Sequence, residues 1–123
     1  MLGYVTIGTN DFEKGKAFYE KALASMGVRK TFASDRMQGY GVKGSPGSLV
    51  VCKPYDEHKA SAGNGTMVAL TAPSRAVVDS VHKDALAAGG ADEGAPGIRT
   101  GTFYGAYFRD PDGNKICVFT MGQ

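Results

Sequence analysis

The chain has 123 residues, with 14 lysines and arginines against 12 aspartates and glutamates for a formal net charge of +2. These charges are spread along the sequence rather than gathered in blocks, so there is no electrostatic footprint for nucleic acid or an anionic membrane. A chain of this length buries roughly two thirds of its unfolded surface around one core, no apolar run reaches the length of a membrane span, and a single domain, residues 1–123, is expected.

Met1-Leu2-Gly3-Tyr4 runs straight into a strand-like stretch, without the basic and apolar segments of a secretion signal. In residues 3–8, Val5 and Ile7 alternate with Tyr4 and Thr6, the pattern of a half-buried strand. Asn10 or Asp11 then offers an N-cap for a helix expected over Asp11 to Met26, with Glu13 in its first turn. Phe18, Tyr19, Ala22, Leu23 and Met26 form its apolar stripe, and Gly27 stops it.

Three short strands are expected next, near Arg29 to Ala33, Met37 to Val42 and Ser48 to Lys53, separated by turn-forming residues. They complete a βαβββ unit over residues 1–54. A polar linker follows over 55–64, too poor in apolar residues to make a core element.

A second unit, 65–123, repeats the pattern: a strand over Thr66 to Thr71 and a helix started by Pro73-Ser74, with Val78, Val81, Ala85 and Ala88 on its buried side. Gly89-Gly90 ends that helix. An irregular stretch, Ala91 to Thr100, is expected before two strands, Phe103 to Arg109 and Lys115 to Thr120. Between them lies the turn Asp110-Pro-Asp-Gly-Asn114. Cys52 and Cys117 sit inside strands without zinc-site spacing, as reduced thiols of a cytoplasmic protein would.

Three stretches resemble proteins of the vicinal oxygen chelate superfamily, the glyoxalase and bleomycin-resistance-like proteins. They are Tyr4-Val-Thr-Ile-Gly with Asp11-Phe-Glu-Lys-Gly-Lys-Ala-Phe-Tyr19, Ala72-Pro-Ser-Arg-Ala-Val-Val-Asp79, and Tyr104-Gly-Ala-Tyr-Phe-Arg-Asp-Pro-Asp-Gly-Asn-Lys-Ile116. The resemblance implies an α+β fold in which two βαβββ modules form an incomplete mixed barrel, with helices on the convex side and a ligand site in the cup. It also implies a homodimer. Val5, Ile7, Val68, Leu70, Ile116 and Val118 then suit the helix side, leaving Tyr4, Thr6, Met67, Ala69, Cys117 and Phe119 to face the cup. Tyr104, with Tyr4 and Tyr40, is a further source of hydroxyls for a ligand there.

In metal-dependent members, the resemblance implies histidines at the places of Tyr4 and Met67 and a glutamate at the place of Cys117. A phenol, a thioether and one thiol make a poor site for a divalent ion, and the Ser48 to Lys53 strand supplies no replacement. No metal or other cofactor is therefore expected. His58, in the linker, and His82, on the second helix, read as solvated. Cys117 reads as a buried inert thiol despite Lys115 two residues away on the same face. The two carboxylates of the 110–114 turn read as turn formers rather than an acid-base pair, and Arg99 and Arg109 as surface arginines able to meet an anion.

The function expected is metal-independent binding of a small, partly apolar molecule in the cup. A metal-dependent lyase, isomerase or dioxygenase of glyoxalase type is the alternative. A third reading is an interaction module whose cup is filled by its own side chains.

Overall fold

The computed structural model of the chain describes residues 1–122. The element order is β1 (Tyr4–Gly8), α1 (Phe12–Ala22), a 3₁₀ turn (Ala24–Met26), β2 (Arg29–Ala33), β3 (Met37–Gly41) and β4 (Ser48–Cys52), then β5 (Val68–Thr71), α2 (Arg75–Ala87), β6 (Ala91–Thr100), β7 (Phe103–Arg109) and β8 (Lys115–Thr120). The strands make two four-stranded mixed sheets of the same topology, β1-β4-β3-β2 and β5-β8-β7-β6. In each, the first strand runs parallel to the fourth, and the remaining neighbours are antiparallel. No hydrogen-bonded strand pair joins the two sheets among the described residues, so β1 and β5 each keep one free edge.

Both helices start as the sequence suggests. The Asp11 carboxylate accepts from the Lys14 amide at 3.1 Å, and the Ser74 hydroxyl accepts from the Val77 amide at 3.2 Å, each satisfying an amide of the first turn. Where one helix was expected through Met26, α1 stops at Ala22 and the chain tightens into the 3₁₀ turn, closed by Gly27 at φ 74°.

The stretch expected to be irregular is instead the ten-residue edge strand β6, paired only with β7 and interrupted by three register shifts. An edge strand has one row of unpaired backbone groups, so bulges and Pro96 cost it little pairing.

The helix-facing sides of both sheets close on one core. Val51 and Leu49 of the first sheet, Phe108, Ile116 and Val118 of the second, and Phe18, Leu23, Val78 and Val81 of the helices belong to a single buried cluster. α1 touches both sheets. On one side, a β-carbon at Gly15 would stand 3.3 Å from the Val51 side chain, so glycine permits the close approach. On the other, the Phe18 ring lies 6.0 Å from that of Phe108.

The turn between β7 and β8 adds a polar tie. The buried Asp110 carboxylate accepts from the Tyr19 hydroxyl at 2.6 Å, from the Asp112 and Asn114 amides at 2.9 Å and from the Asn114 side chain at 2.9 Å. Asn114 also donates to the Gly8 carbonyl at 2.9 Å, and Asp112 accepts from the Asn10 amide at 2.9 Å. The segment is a turn, as its composition suggests, and it also fastens the second half to the β1–α1 junction of the first. Burial and the Asp110 charge hold the Tyr19 phenol well above its usual range, so it stays a donor.

Candidate functional site

The sides of the sheets turned away from the core carry the candidate site. On the first sheet these are Tyr4, Thr6 and Gly8 of β1, Val50 and Cys52 of β4, and Met37 and Gly39 of β3, as the registers require. Thr6 stands with Cys52 on this side, and burial pushes the Cys52 thiol above its usual range. The register shift in β2 lets Thr31 and Phe32 both lean over Gly39, where a β-carbon would come within 2.9 Å of the Phe32 ring. Phe32 meets Tyr4 edge-on at 6.4 Å. Beside them Pro54 and the linker residues Tyr55 and Lys59 wall a hollow of about 620 Å³ whose floor includes Thr6, Arg36 and Cys52.

On the second sheet, Ala69 of β5 lies beside Cys117 of β8, and Thr71 beside Phe119. Met67, just before β5, lies over a hollow of about 530 Å³ with Asn64, Thr66, Arg109 and Lys115. Cys117 is 0% exposed. Burial raises its thiol against the opposing pull of Tyr107, Arg99 and Lys115, so the cations nearby do not make it a thiolate nucleophile. The Phe119 ring stacks on Phe103 at 4.8 Å.

Six of the seven candidate positions thus face away from the core, but in two separate groups: Tyr4 and Thr6 on the first sheet, Met67, Ala69, Cys117 and Phe119 on the second. Tyr104 does not join them. It is in phase with Ala106 and Phe108 on the helix side of β7, donates to the Asp79 carboxylate of α2 at 2.6 Å and carries the Arg75 guanidinium 5.0 Å over its ring. Tyr40 likewise faces α1, donating to Glu20 at 2.7 Å. The outward tyrosine of β7 is Tyr107, opposite Cys117. Phasing β7 by its most buried residues, Ala106 and Phe108, would have found it.

His82 also departs from expectation. It is 7% exposed and meets the Asp92 carboxylate at 3.0 Å, because it lies one turn beyond Val78 on the buried side of α2. His58 is exposed in the linker beside Asp56.

The donor set does not fit a divalent cation. At the strand positions where the resemblance places ligands stand a phenol, a thioether and a fully buried thiol, divided between two sheets. Among the described residues no group of three or more His, Cys, Asp or Glu side chains is arranged to hold a metal. No helix among them is long and apolar enough to cross a membrane.

Two βαβββ halves, each presenting a bare sheet face on the side opposite its helix, define an α+β protein of the glyoxalase-like fold. The sequence pattern of the Glyoxalase/Bleomycin resistance protein/Dioxygenase superfamily matches residues 1–118, and the chain belongs to that superfamily. Among solved structures, a glyoxalase/bleomycin resistance protein from Albidiferax ferrireducens is 34% identical, covers 99% of both chains and superposes with a TM-score of 0.91. A superfamily enzyme from Burkholderia phytofirmans matches at 19% identity over 98% of both chains with a TM-score of 0.77. A lactoylglutathione lyase from Agrobacterium tumefaciens matches at 16% identity over 98% of this chain and 92% of its own, with a TM-score of 0.70. These last two likenesses speak for the fold alone. Among curated proteins, none matches the chain significantly.

Proposed function

We propose that the chain binds a small, partly apolar organic molecule without a metal, in a cup whose two walls are the outward faces of the first and second sheets. The observation that carries this reading is the chemistry of those faces. Tyr4, Met67 and Cys117 stand where a metal-dependent relative needs nitrogen and oxygen donors, and the rest of the lining mixes aromatic, aliphatic and hydroxyl-bearing residues with a few cations such as Arg36 and Lys59. Pockets of that composition hold ligands by burial and a few directed polar contacts.

The walls belong to different copies of the chain. Within one chain both sheets turn their helix sides to a common core, which aims the outward faces away from it. β1 and β5 leave their free edges beside an apolar cleft lined by Val5, Leu23, Met26, Val28, Val68 and Leu70. A twofold partner covers that cleft and sets its own second sheet beside the first, giving two equivalent cups per dimer.

The test is metal content after incubation with Zn²⁺, Ni²⁺, Mn²⁺ and Fe²⁺ and desalting, run beside sedimentation of the same sample. A dimer that retains no metal is expected. Retention near one ion per chain, lost in Cys117→Ser or His58→Ala, overturns the metal-free reading and returns the chain to the metalloenzymes.

A further inference from the structure

The second sheet's outward face has a polarity along its length. At one end Phe103 and Phe119 stack, in the middle Tyr107 covers Cys117, and at the other end stand Lys115 and the Arg109–Glu93 pair, joined at 2.8 Å. Phe119 and Lys115 are four strand residues apart, about 13 Å.

Arg99 folds back over this face from β6. Its guanidinium stands 5.2 Å from the centre of the Tyr107 ring and donates to the Ala95 carbonyl at 2.5 Å. The glycines 94 and 97 make room for it, since a β-carbon at either would stand 3.1 Å from a guanidinium nitrogen. The Lys115 ammonium lies 5.6 Å from the centre of the same ring. Neither Arg99 nor Lys115 is ion-paired among the described residues, and the nearby Glu93 is engaged by Arg109. Two cations lie against one ring with no carboxylate partner for either, and at Lys115 a hollow it shares with Arg109, Thr66 and Asn64 has room for a negative group.

Resting on the ligand-binding reading above, we infer that the molecule bound is an amphipathic organic anion: a carboxylate, sulfonate or phosphate group at Lys115, drawn also by the charge of Arg99 across the Tyr107 ring, and a flat apolar body along Tyr107 toward the Phe103–Phe119 stack. Charge complementarity selects this occupant over a neutral or cationic molecule of the same shape.

The experiment compares two fluorescent probes that share a naphthylamine body: anilinonaphthalene sulfonate, an anion, and neutral N-phenylnaphthylamine. Both are titrated into the intact folded protein and into Arg99→Gln, Lys115→Gln and the surface variant Lys83→Gln. The sulfonate is expected to bind about tenfold tighter than the neutral probe, and to weaken about fivefold in each of the first two variants. Added salt weakens the sulfonate alone. The neutral probe and Lys83→Gln should show no change. Equal binding of both probes, or loss of both in Arg99→Gln and Lys115→Gln, overturns the anion assignment and leaves the binding reading standing. Binding of neither probe overturns both.

Discussion

The two halves share a topology but not a chemistry. Their helix-facing sides are nearly interchangeable: Ile7, Leu49 and Val51 in the first sheet, Val68, Leu70, Ile116 and Val118 in the second, all turned to one core. The outward sides differ. The first is a Tyr4–Phe32 edge, a Thr6–Cys52 pair and a hollow walled by the linker. The second runs from an aromatic stack to a cationic end around a fully buried thiol. Packing against a helix tolerates only volume-matched apolar residues, whereas the opposite side answers to whatever occupies it.

The shared core gives the sharpest way to break this comparison. Phe108→Ala removes a fully buried ring that the first half's Phe18 leans on, and is expected to cost about 3–5 kcal/mol in chemical denaturation. Its transition should stay single. Two separated transitions would mean that the halves fold as independent units.

Asp110→Ala strips the tie between the halves and leaves the Tyr19 hydroxyl buried without its acceptor, for an expected loss of about 2–4 kcal/mol. Tyr19→Phe deletes one donor and leaves Asp110 its other three, so about 1 kcal/mol is expected in the same assay.

The cysteines separate the outward faces without any mutation. Burial raises both thiols, yet Cys117 is fully enclosed while Cys52 is half-buried beside the linker hollow. Thiol labelling of native protein is expected to modify Cys52 about tenfold or more faster than Cys117, with the difference vanishing in denaturant. Equal native rates would show that the Tyr107 cover over Cys117 opens freely.

The smallest expected effect concerns the His82–Asp92 contact between α2 and β6, whose place between α1 and β2 is taken by the exposed Glu20–Lys30 pair at 3.7 Å. The Gly94 amide and His82 hold the Asp92 carboxyl below its usual value. A depressed carboxyl stabilises the fold above its unfolded pKa of about 4, and that contribution is lost as pH falls through the lower folded value. Asp92→Asn is therefore expected to be less stable than the parent at neutral pH, with the gap closing on acidification below about pH 4. A gap that stays constant with pH would show that the carboxylate charge contributes nothing.

Periodicity, helix caps and turn residues alone determined the order of elements apart from β6, the start of both helices and the aliphatic sides of β1, β5 and β8, because these follow from spacing along one strand or helix. The outward direction of six of the seven candidate positions was legible for the same reason. Tyr104 was not, since its strand carries aromatics on both sides and alternation without a phase names neither; pairing with β8 supplied the phase. Other features rest on partners distant in the chain: His82 buried against Asp92, Asp110 as the acceptor for Tyr19, Arg99 folded over Tyr107, and the division of the candidate site between two sheets. Tertiary structure decided these, because a side chain's role there depends on which surface is packed against it, and local pattern carries no record of that.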